Sequence, residues 1–251
     1  EPPVEHEPPM EHEPPVEHEP PMEHEPPMEH EHPSVIAVIP MKPLAKSKTR
    51  LARRFTQEQR GDLALGMLHQ VLMALRAVPI DIFWVVGGDG RVRDLTRDAG
   101  GTWLEDMGLD LNDTVGKTFD LAFERHDSAM YLAGDLPFVK PSDLHSLVQA
   151  SRRQNNISLA PARRDGGTNA ILVPAGVPFQ PELGPGSFIK HLSQAAKLGV
   201  SVAICYSPGL GFDLDTPDDL ETYEHMEPGL LERLVPGSSS TPSVVEKDNG
   251  Q

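Results

Sequence analysis

Glu-Pro-Pro-[Val/Met]-Glu-His is written five times over residues 1–30, and a segment of that kind cannot enter a helix or a sheet. Each Pro-Pro pair removes amide donors and holds φ near about −65°, while the like-charged Glu residues keep the chain stretched. A solvated, polyproline-II-like extension is expected over 1–33. The spaced His and Glu suggest a low-affinity metal-binding tail as one reading, but nothing in such a chain pre-organises the ligands. The segment is therefore read as a disordered extension with no catalytic part. A second loose tail, rich in Ser, Gly, Pro and charge, is expected over 235–251, which leaves 34–234 as the folded domain.

The repeats distort the whole-chain averages. The formal net charge is −16 over 251 residues, but eleven of the negative charges fall in 1–31, so the remainder carries only −5. That remainder is one domain's worth of ordinary globular sequence, long enough to bury a substantial core. An acidic chain is a poor partner for duplex DNA or an anionic membrane, so neither nucleic acid nor membrane is expected. The single cysteine, Cys205, excludes an intramolecular disulfide and a cysteine-cluster metal site. No apolar run approaches the roughly 18–20 residues that span a bilayer, and the sequence has no apolar signal core at its start. A reducing, cytoplasmic setting is expected.

Between the tails the pattern alternates strand and helix. Strands are expected at Val35–Ile39 (closed by Pro40), Ile82–Val86, Thr102–Leu104, Ala129–Ala133, Ile157–Ala160, Ala170–Val173 and Val200–Cys205. Helices are expected at Gln57–Val78, Arg91–Asp98, Asp113–Arg125, Pro141–Ala150, Ser187–Leu198 and Thr216–His225, the last with Thr216 as N-cap and Pro217 at its first position. Repeated strand–helix–strand units imply an α/β fold with a mainly parallel sheet covered on both faces. Ligands then bind beyond the carboxyl ends of the strands, so the residues there carry the functional signal.

After the first strand, Lys42, Lys46, Lys48 and Arg50 put four cations into nine residues. Lys offers a mobile point charge and Arg a planar fork for phosphate oxygens, so the loop suits a polyphosphate, although it is not a Walker P-loop. Gly87-Gly88-Asp89-Gly90 reads equally as a nucleotide turn or a plain tight turn. Asp135 stands one residue past a buried strand on a Gly-bounded turn, a way to present a carboxylate to Mg²⁺, and Asp213-Leu214-Asp215 supplies a second acidic element. Asp218 and Asp219 serve the first turn of the helix that follows. Asp165-Gly166-Gly167-Thr168-Asn169 offers a hydroxyl and an amide on a glycine turn. Gly184-Pro185-Gly186-Ser187 leads into a helix with Ser187 as its cap and exposed amides that suit an anion. His191, on that helix, is assigned to the surface by default. No Ser–His–Asp arrangement or nucleophilic cysteine stands out, so covalent catalysis is not expected.

Taken in order, Pro40-Met41-Lys42 through Lys48-Thr49-Arg50-Leu51, Leu111-Asn112, Gly134-Asp135-Leu136-Pro137, Asp165-Gly166-Gly167-Thr168-Asn169-Ala170, Gly184-x-x-Ser187-Phe188 with His191, and Asp213-Leu214-Asp215-Thr216-Pro217-x-Asp219-Leu220 resemble the CofC/FbiD guanylyltransferases of coenzyme F-420 biosynthesis. The resemblance spans 34–234 and leaves the repeats unexplained. It implies a three-layer sandwich with a mixed, mostly parallel sheet, like the nucleotide-diphospho-sugar and molybdopterin nucleotidyltransferases. It implies transfer of GMP from GTP to a phosphorylated three-carbon acid: phosphoenolpyruvate in many bacterial members, 2-phospho-L-lactate in archaeal ones, 3-phosphoglycerate in others. Carried over residue by residue, it implies Mg²⁺ on Asp135 and on one or both of Asp213 and Asp215. The acid falls to Thr168, Asn169, Gly184 and Ser187, and the triphosphate to Lys42, Lys46, Lys48 and Arg50, with Asn112 near the nucleotide. Asp135, Lys48 and Arg50 would carry the chemistry. A homodimer that hands its product to the next enzyme of the pathway completes the expectation. Two other readings stand beside it: a molybdopterin or sugar-phosphate nucleotidyltransferase on the same fold, and a non-enzymatic nucleotide-binding scaffold with the repeat tail as its docking element.

Overall fold

The computed structural model describes residues 34–152 and 155–236; the expectations for 1–33 and 237–251 lie outside those residues. In chain order the elements are β1 (Val35–Met41), α1 (Gln57–Arg76), β2 (Ile82–Gly87), α2 (Gly90–Asp98), β3 (Thr102–Leu104), α3 (Leu111–Glu124), β4 (Ser128–Leu132), α4 (Pro141–Arg152), β5 (Ile157–Pro161), β6 (Thr168–Val173), α5 (Ser187–Leu198), β7 (Val202–Ile204), α6 (Pro208–Gly211), α7 (Pro217–Met226) and α8 (Leu230–Leu234). All seven strands join one sheet, ordered β3-β2-β1-β4-β6-β5-β7. β6 runs antiparallel to β4 and β5, and the other pairs are parallel. The sheet is thus mixed and mostly parallel, as expected.

Strand order decides where a cleft can open. From β1 the chain steps to β2 and then β3, towards one edge, and then returns to place β4 on the other side of β1. Right-handed crossovers put α1 and α2 on one face and send α3 to the opposite one. α1 accordingly meets α2 and α4, and α3 lies against β1 and β4. The reversal leaves a crevice at the carboxyl ends of β1 and β4, the switch point where such sheets bind ligands.

The central strands are continuous buried runs, five of five residues in β4 and six of six in β6, as a sheet covered on both faces requires. One expectation fails locally. Pro40 does not close β1, which runs on to Met41 with Pro40 opposite Val86. Pairing with β4 ends at Val38, so β1 has a single neighbour at Pro40 and the missing amide breaks no second ladder.

α1 starts on a capping box made by Thr56 and Gln59. It buries residues on two sides, because α8 packs on the side away from the sheet. At Gly66 the two backbones meet so closely that a Cβ would lie 2.0 Å from the Leu234 carbonyl oxygen. A second apolar cluster gathers Leu51, Leu63, Met67, Phe212, Leu214, Leu220, Tyr223, Leu230 and Leu234. Through Leu51 and Leu214 this cluster anchors both the basic loop and the Asp213–Asp215 segment. In Asp213-Leu214-Asp215 the middle side chain is fully buried, so simple alternation turns both carboxylates away from it.

Candidate active site

A cleft of about 520 Å³ opens at the ends of β1 and β4. Its walls include Lys42, Lys46 and Lys48 from the basic loop, Asp135 after β4, and Asp215. Asp135 and the acidic segment are joined at the backbone, where the Leu214 amide donates to the Asp135 carbonyl at 3.2 Å. Asp135 and Asp215 also converge on one cation. Lys48 Nζ donates to Asp135 Oδ2 at 2.6 Å and to Asp215 Oδ1 at 2.8 Å, with the Lys48 side chain only 7% exposed. Lys48 adopts a left-handed backbone, φ 50°, uncommon for a residue with a side chain.

The remaining charges divide into two groups. Arg50 pairs with Asp215 at 3.1 Å. Arg164 reaches Asp213 at 3.2 Å, Asp215 at 3.1 Å and Asp219 at 3.5 Å. Lys42 and Lys46 are exposed and make no ion pair among the described residues, which leaves both free for an anionic ligand. Burial works against the charge on Lys48, but Asp135 and Asp215 outweigh it and raise its pKa above the ordinary lysine value. Burial raises the Asp215 carboxyl, yet Lys48 and Arg164 overcome it and hold the pKa at about 2. Asp213 moves the other way: burial and the neighbouring Asp135 charge raise its pKa against the pull of Arg164. Asp213 is turned from the cleft towards Arg164 and Asn169. Sequence reasoning missed Arg164, although the pair Arg163-Arg164 directly precedes the glycine turn. It also missed Tyr131, a buried phenol that lines the cleft and whose pKa is raised by burial and then by Asp135 and Asp213.

Hard oxygen donors that share one positive point are the chemistry of a Mg²⁺ site, and that ion takes one or two carboxylates with phosphate and water filling the rest. Asp135 and Asp215 fit this, and the Lys48 ammonium lies where they converge. Among the described residues no group of three or more His, Cys, Asp or Glu side chains is arranged around a metal.

The residues read as the second anion pocket do come together, with corrections. Ser187 is not the cap of α5: Gly186 takes that position at φ 70°, and Ser187 is the first helical residue. Its buried hydroxyl donates to Thr168 Oγ1 at 3.1 Å. The amides there are already taken: Gly186 N–H donates to the Asp165 carbonyl, Ser187 to Gly184 and Phe188 to Gly166. Tight backbone packing of the two glycine turns has consumed the donors expected from the sequence. Asn169 Nδ2 donates to the Leu210 carbonyl at 2.9 Å and lies 3.5 Å from Asp213 Oδ1, bracing α6 and the acidic segment.

His191 is not on the surface but 1% exposed, because α5 turns it onto β6. The Glu182 amide donates to its Nε2 at 2.9 Å, which leaves the ring proton on Nδ1, 3.0 Å from Thr168 Oγ1. Burial pushes its pKa down to about 4, with Glu182 opposing and Lys190 reinforcing the shift. The imidazole is therefore neutral near pH 7. Three donor hydrogens, on His191, Thr168 and Ser187, serve two links, so one hydroxyl proton has no acceptor within this trio.

Asn112 holds no position among the cleft-lining residues. Its Oδ1 accepts from the Leu183 amide at 2.6 Å and its Nδ2 donates to the Leu183 carbonyl at 3.2 Å, clamping the segment next to Gly184. Asp89, in the turn after β2, caps α2 and accepts from the Leu44 amide at 3.1 Å. That turn therefore tethers the basic loop.

Comparison with known proteins identifies the family. The model of the family described as guanylyl transferase CofC like matches residues 35–227. A phosphoenolpyruvate guanylyltransferase of Rubrobacter xylanophilus is 36% identical over 194 residues, covering 76% of this chain and 94% of that protein. A 2-phospho-L-lactate guanylyltransferase of Methanothrix thermoacetophila is 34% identical over 74% of this chain and 81% of its own length. Among solved structures, a protein of Desulfovibrio desulfuricans G20 assigned as a nucleotide-diphospho-sugar transferase superposes with a TM-score of 0.64 at 16% identity, covering 76% of this chain and 87% of that one; at that identity the likeness bears on the fold alone. The chain belongs to the CofC-like guanylyl transferase family and is a nucleotidyltransferase.

Proposed function

We propose that this enzyme transfers GMP from GTP to phosphoenolpyruvate, giving enolpyruvoyl-diphospho-guanosine and pyrophosphate, as a cytoplasmic step of coenzyme F-420 biosynthesis. The observation that carries the reading is the meeting of Asp135 and Asp215 on Lys48, beside two lysines that no carboxylate neutralises. The phosphoenolpyruvate relative at 36% identity supports the choice of acid. The phospholactate relative makes 2-phospho-L-lactate the second candidate.

The acceptor phosphate is already an anionic nucleophile and needs no strong base. One of its oxygens attacks the α-phosphorus of GTP, a new P–O bond forms, and the bond from the α-phosphorus to the bridging oxygen breaks to release pyrophosphate. Two polyanions must be brought together, so catalysis is positioning and charge neutralisation. Asp135 and Asp215 are the residues to hold Mg²⁺, which supplies positive charge at the α-phosphate when bound. Lys42 and Lys46 take the β- and γ-phosphates and carry the charge of the leaving pyrophosphate. Lys48 and Arg50 stand between the carboxylates and the triphosphate. The remaining hydroxyl proton at Thr168 and Ser187, beside Gly184, orients the acid.

Pyrophosphate release with GTP, Mg²⁺ and each of phosphoenolpyruvate, 2-phospho-L-lactate and 3-phosphoglycerate tests this. Turnover with phosphoenolpyruvate is expected, and mass spectrometry of products from an equal mixture ranks the acids. No release with any of the three overturns the proposal. The next step in such a sequence consumes an activated diphosphate ester, so a second enzyme must accept this product.

A further inference from the structure

We infer that Asp106 reads the base of the nucleotide by accepting a hydrogen bond from its exocyclic 2-amino group; this rests on the reading of the cleft as a GTP site. In the sheet, β3 stands three strands from β4, roughly 14 Å at about 4.8 Å per step. With the α-phosphate beside Asp135 and Asp215, the cleft continues past the ends of β1 and β2 to the segment after β3, a span that a ribose and a purine fill. Asp106, Gly108 and Leu109 line that end.

Asp106 is exposed there and is already half committed. Its Oδ1 accepts from the Gly108 amide at 2.9 Å and from the Thr114 hydroxyl at 2.6 Å. Its Oδ2 has no hydrogen-bond partner among the described residues. The surrounding loop is held stiffly. The Leu109 amide donates to Asp113 Oδ2 at 2.8 Å, and Lys117 Nζ donates to the Met107 carbonyl at 3.1 Å. A Cβ on Gly108 would lie 2.1 Å from Thr114 Oγ1, so only glycine fits where the loop crosses the start of α3. The end of β2 also packs closely here: a Cβ on Gly87 would lie 2.7 Å from the Met41 carbonyl oxygen and 3.1 Å from the Asp106 Cβ. One carboxylate oxygen is pinned; the other, beside Gly87 (a Cβ there would lie 3.6 Å from it), has no hydrogen-bond partner among the described residues, on a residue that lines the cleft.

A carboxylate accepts and cannot donate. Guanine carries an amino group at C2; hypoxanthine and adenine carry only C–H there. The open oxygen therefore favours GTP over ITP, which differs from it by that group alone. A hydrogen bond to a charged acceptor discriminates by about 100-fold when its partner is removed. Asp106→Asn places an amide NH₂ at the open position, because the pinned position faces two donors and selects the amide oxygen. The new donor repels the 2-amino group and suits the 2-oxo group of XTP.

Binding of GTP, ITP and XTP to the full chain, measured calorimetrically with Mg²⁺ present, tests the inference, with pyrophosphate release followed in parallel. Wild-type protein is expected to prefer GTP to ITP by about 100-fold. Asp106→Asn should bring GTP down to the ITP level and raise XTP above both, and Asp106→Ser should lose the discrimination without gaining XTP. Equal loss for all three nucleotides in the variants, or equal binding of GTP and ITP by the wild type, overturns the role of Asp106. Discrimination in binding without pyrophosphate release from any acid would sink the proposed reaction and leave this assignment standing. Absence of GTP binding overturns both.

Discussion

Lys48 Nζ lies 2.6 Å from Asp135 Oδ2, and the same ammonium lies 2.8 Å from Asp215 Oδ1, so one buried cation joins two carboxylates 80 residues apart in sequence. A divalent ion that uses these carboxylates must share them with Lys48 or displace it. A displaced Lys48 would be free to pair with a phosphate of a bound nucleotide.

Replacing Lys48 with Met separates these roles. Removing one partner of a buried ion pair costs about 3–5 kcal/mol, and the loss here falls at the lower end because Arg50 and Arg164 still reach Asp215. Lys48→Met is expected to melt lower without metal and to recover more than the wild type in millimolar Mg²⁺, since ligand binding to the native state adds stability. Guanylyl transfer should fall by at least about 100-fold. Equal Mg²⁺-induced shifts in melting temperature for both proteins would remove Asp135 and Asp215 from the metal site.

Asn112 is expected to act on the acid and not on the nucleotide. Asn112→Ala removes two hydrogen bonds to the Leu183 backbone, a stability loss of about 1–2 kcal/mol. The KM for the phosphorylated acid should rise several-fold with little change in the KM for GTP. A rise confined to GTP would return Asn112 to the nucleotide side.

The pH dependence of His191 has a definite sign. Its folded pKa is about 4 against an ordinary 6.5, so between those values the unfolded chain binds more protons than the native one. Stability from the neutral, buried ring is fully present above about pH 6.5 and is lost as pH falls through that window towards 4. The destabilisation caused by His191→Gln should therefore be largest at pH 7 and shrink by pH 4.5, as read from urea midpoints. A penalty that stays constant across that range would mean that the ring titrates normally. Asp215, with a folded pKa of about 2, loses its contribution only below about pH 3.8, outside the window.

Gly66→Ala inverts the usual rule for helices. Alanine in place of a helix-interior glycine ordinarily adds about 0.5–1 kcal/mol. Here its Cβ would lie 2.0 Å from the Leu234 carbonyl oxygen, so α8 must shift, at an expected cost of about 1–3 kcal/mol. A melt several degrees lower with guanylyl transfer retained is the expected outcome. A higher melting temperature would show that α8 is not seated on α1.

Sequence pattern alone determined the order and type of the main elements, the run of Thr216 and Pro217 into α7, and which loops carry charge, because those depend on local periodicity and capping within a few residues. Alternation in Asp213-Leu214-Asp215 was equally local. The short α6 and α8 were not legible: four and five residues carry too little periodic signal. Tertiary structure alone decided which charges are spent and which are free. Lys42 and Lys48 belong to one basic loop, yet only Lys48 is neutralised by carboxylates, and those lie 87 and 167 positions away. His191, Asn112 and the amides of the glycine turn likewise took partners from other elements. Such pairings follow from strand order and from which helix crosses to which face, and no window of sequence contains both partners.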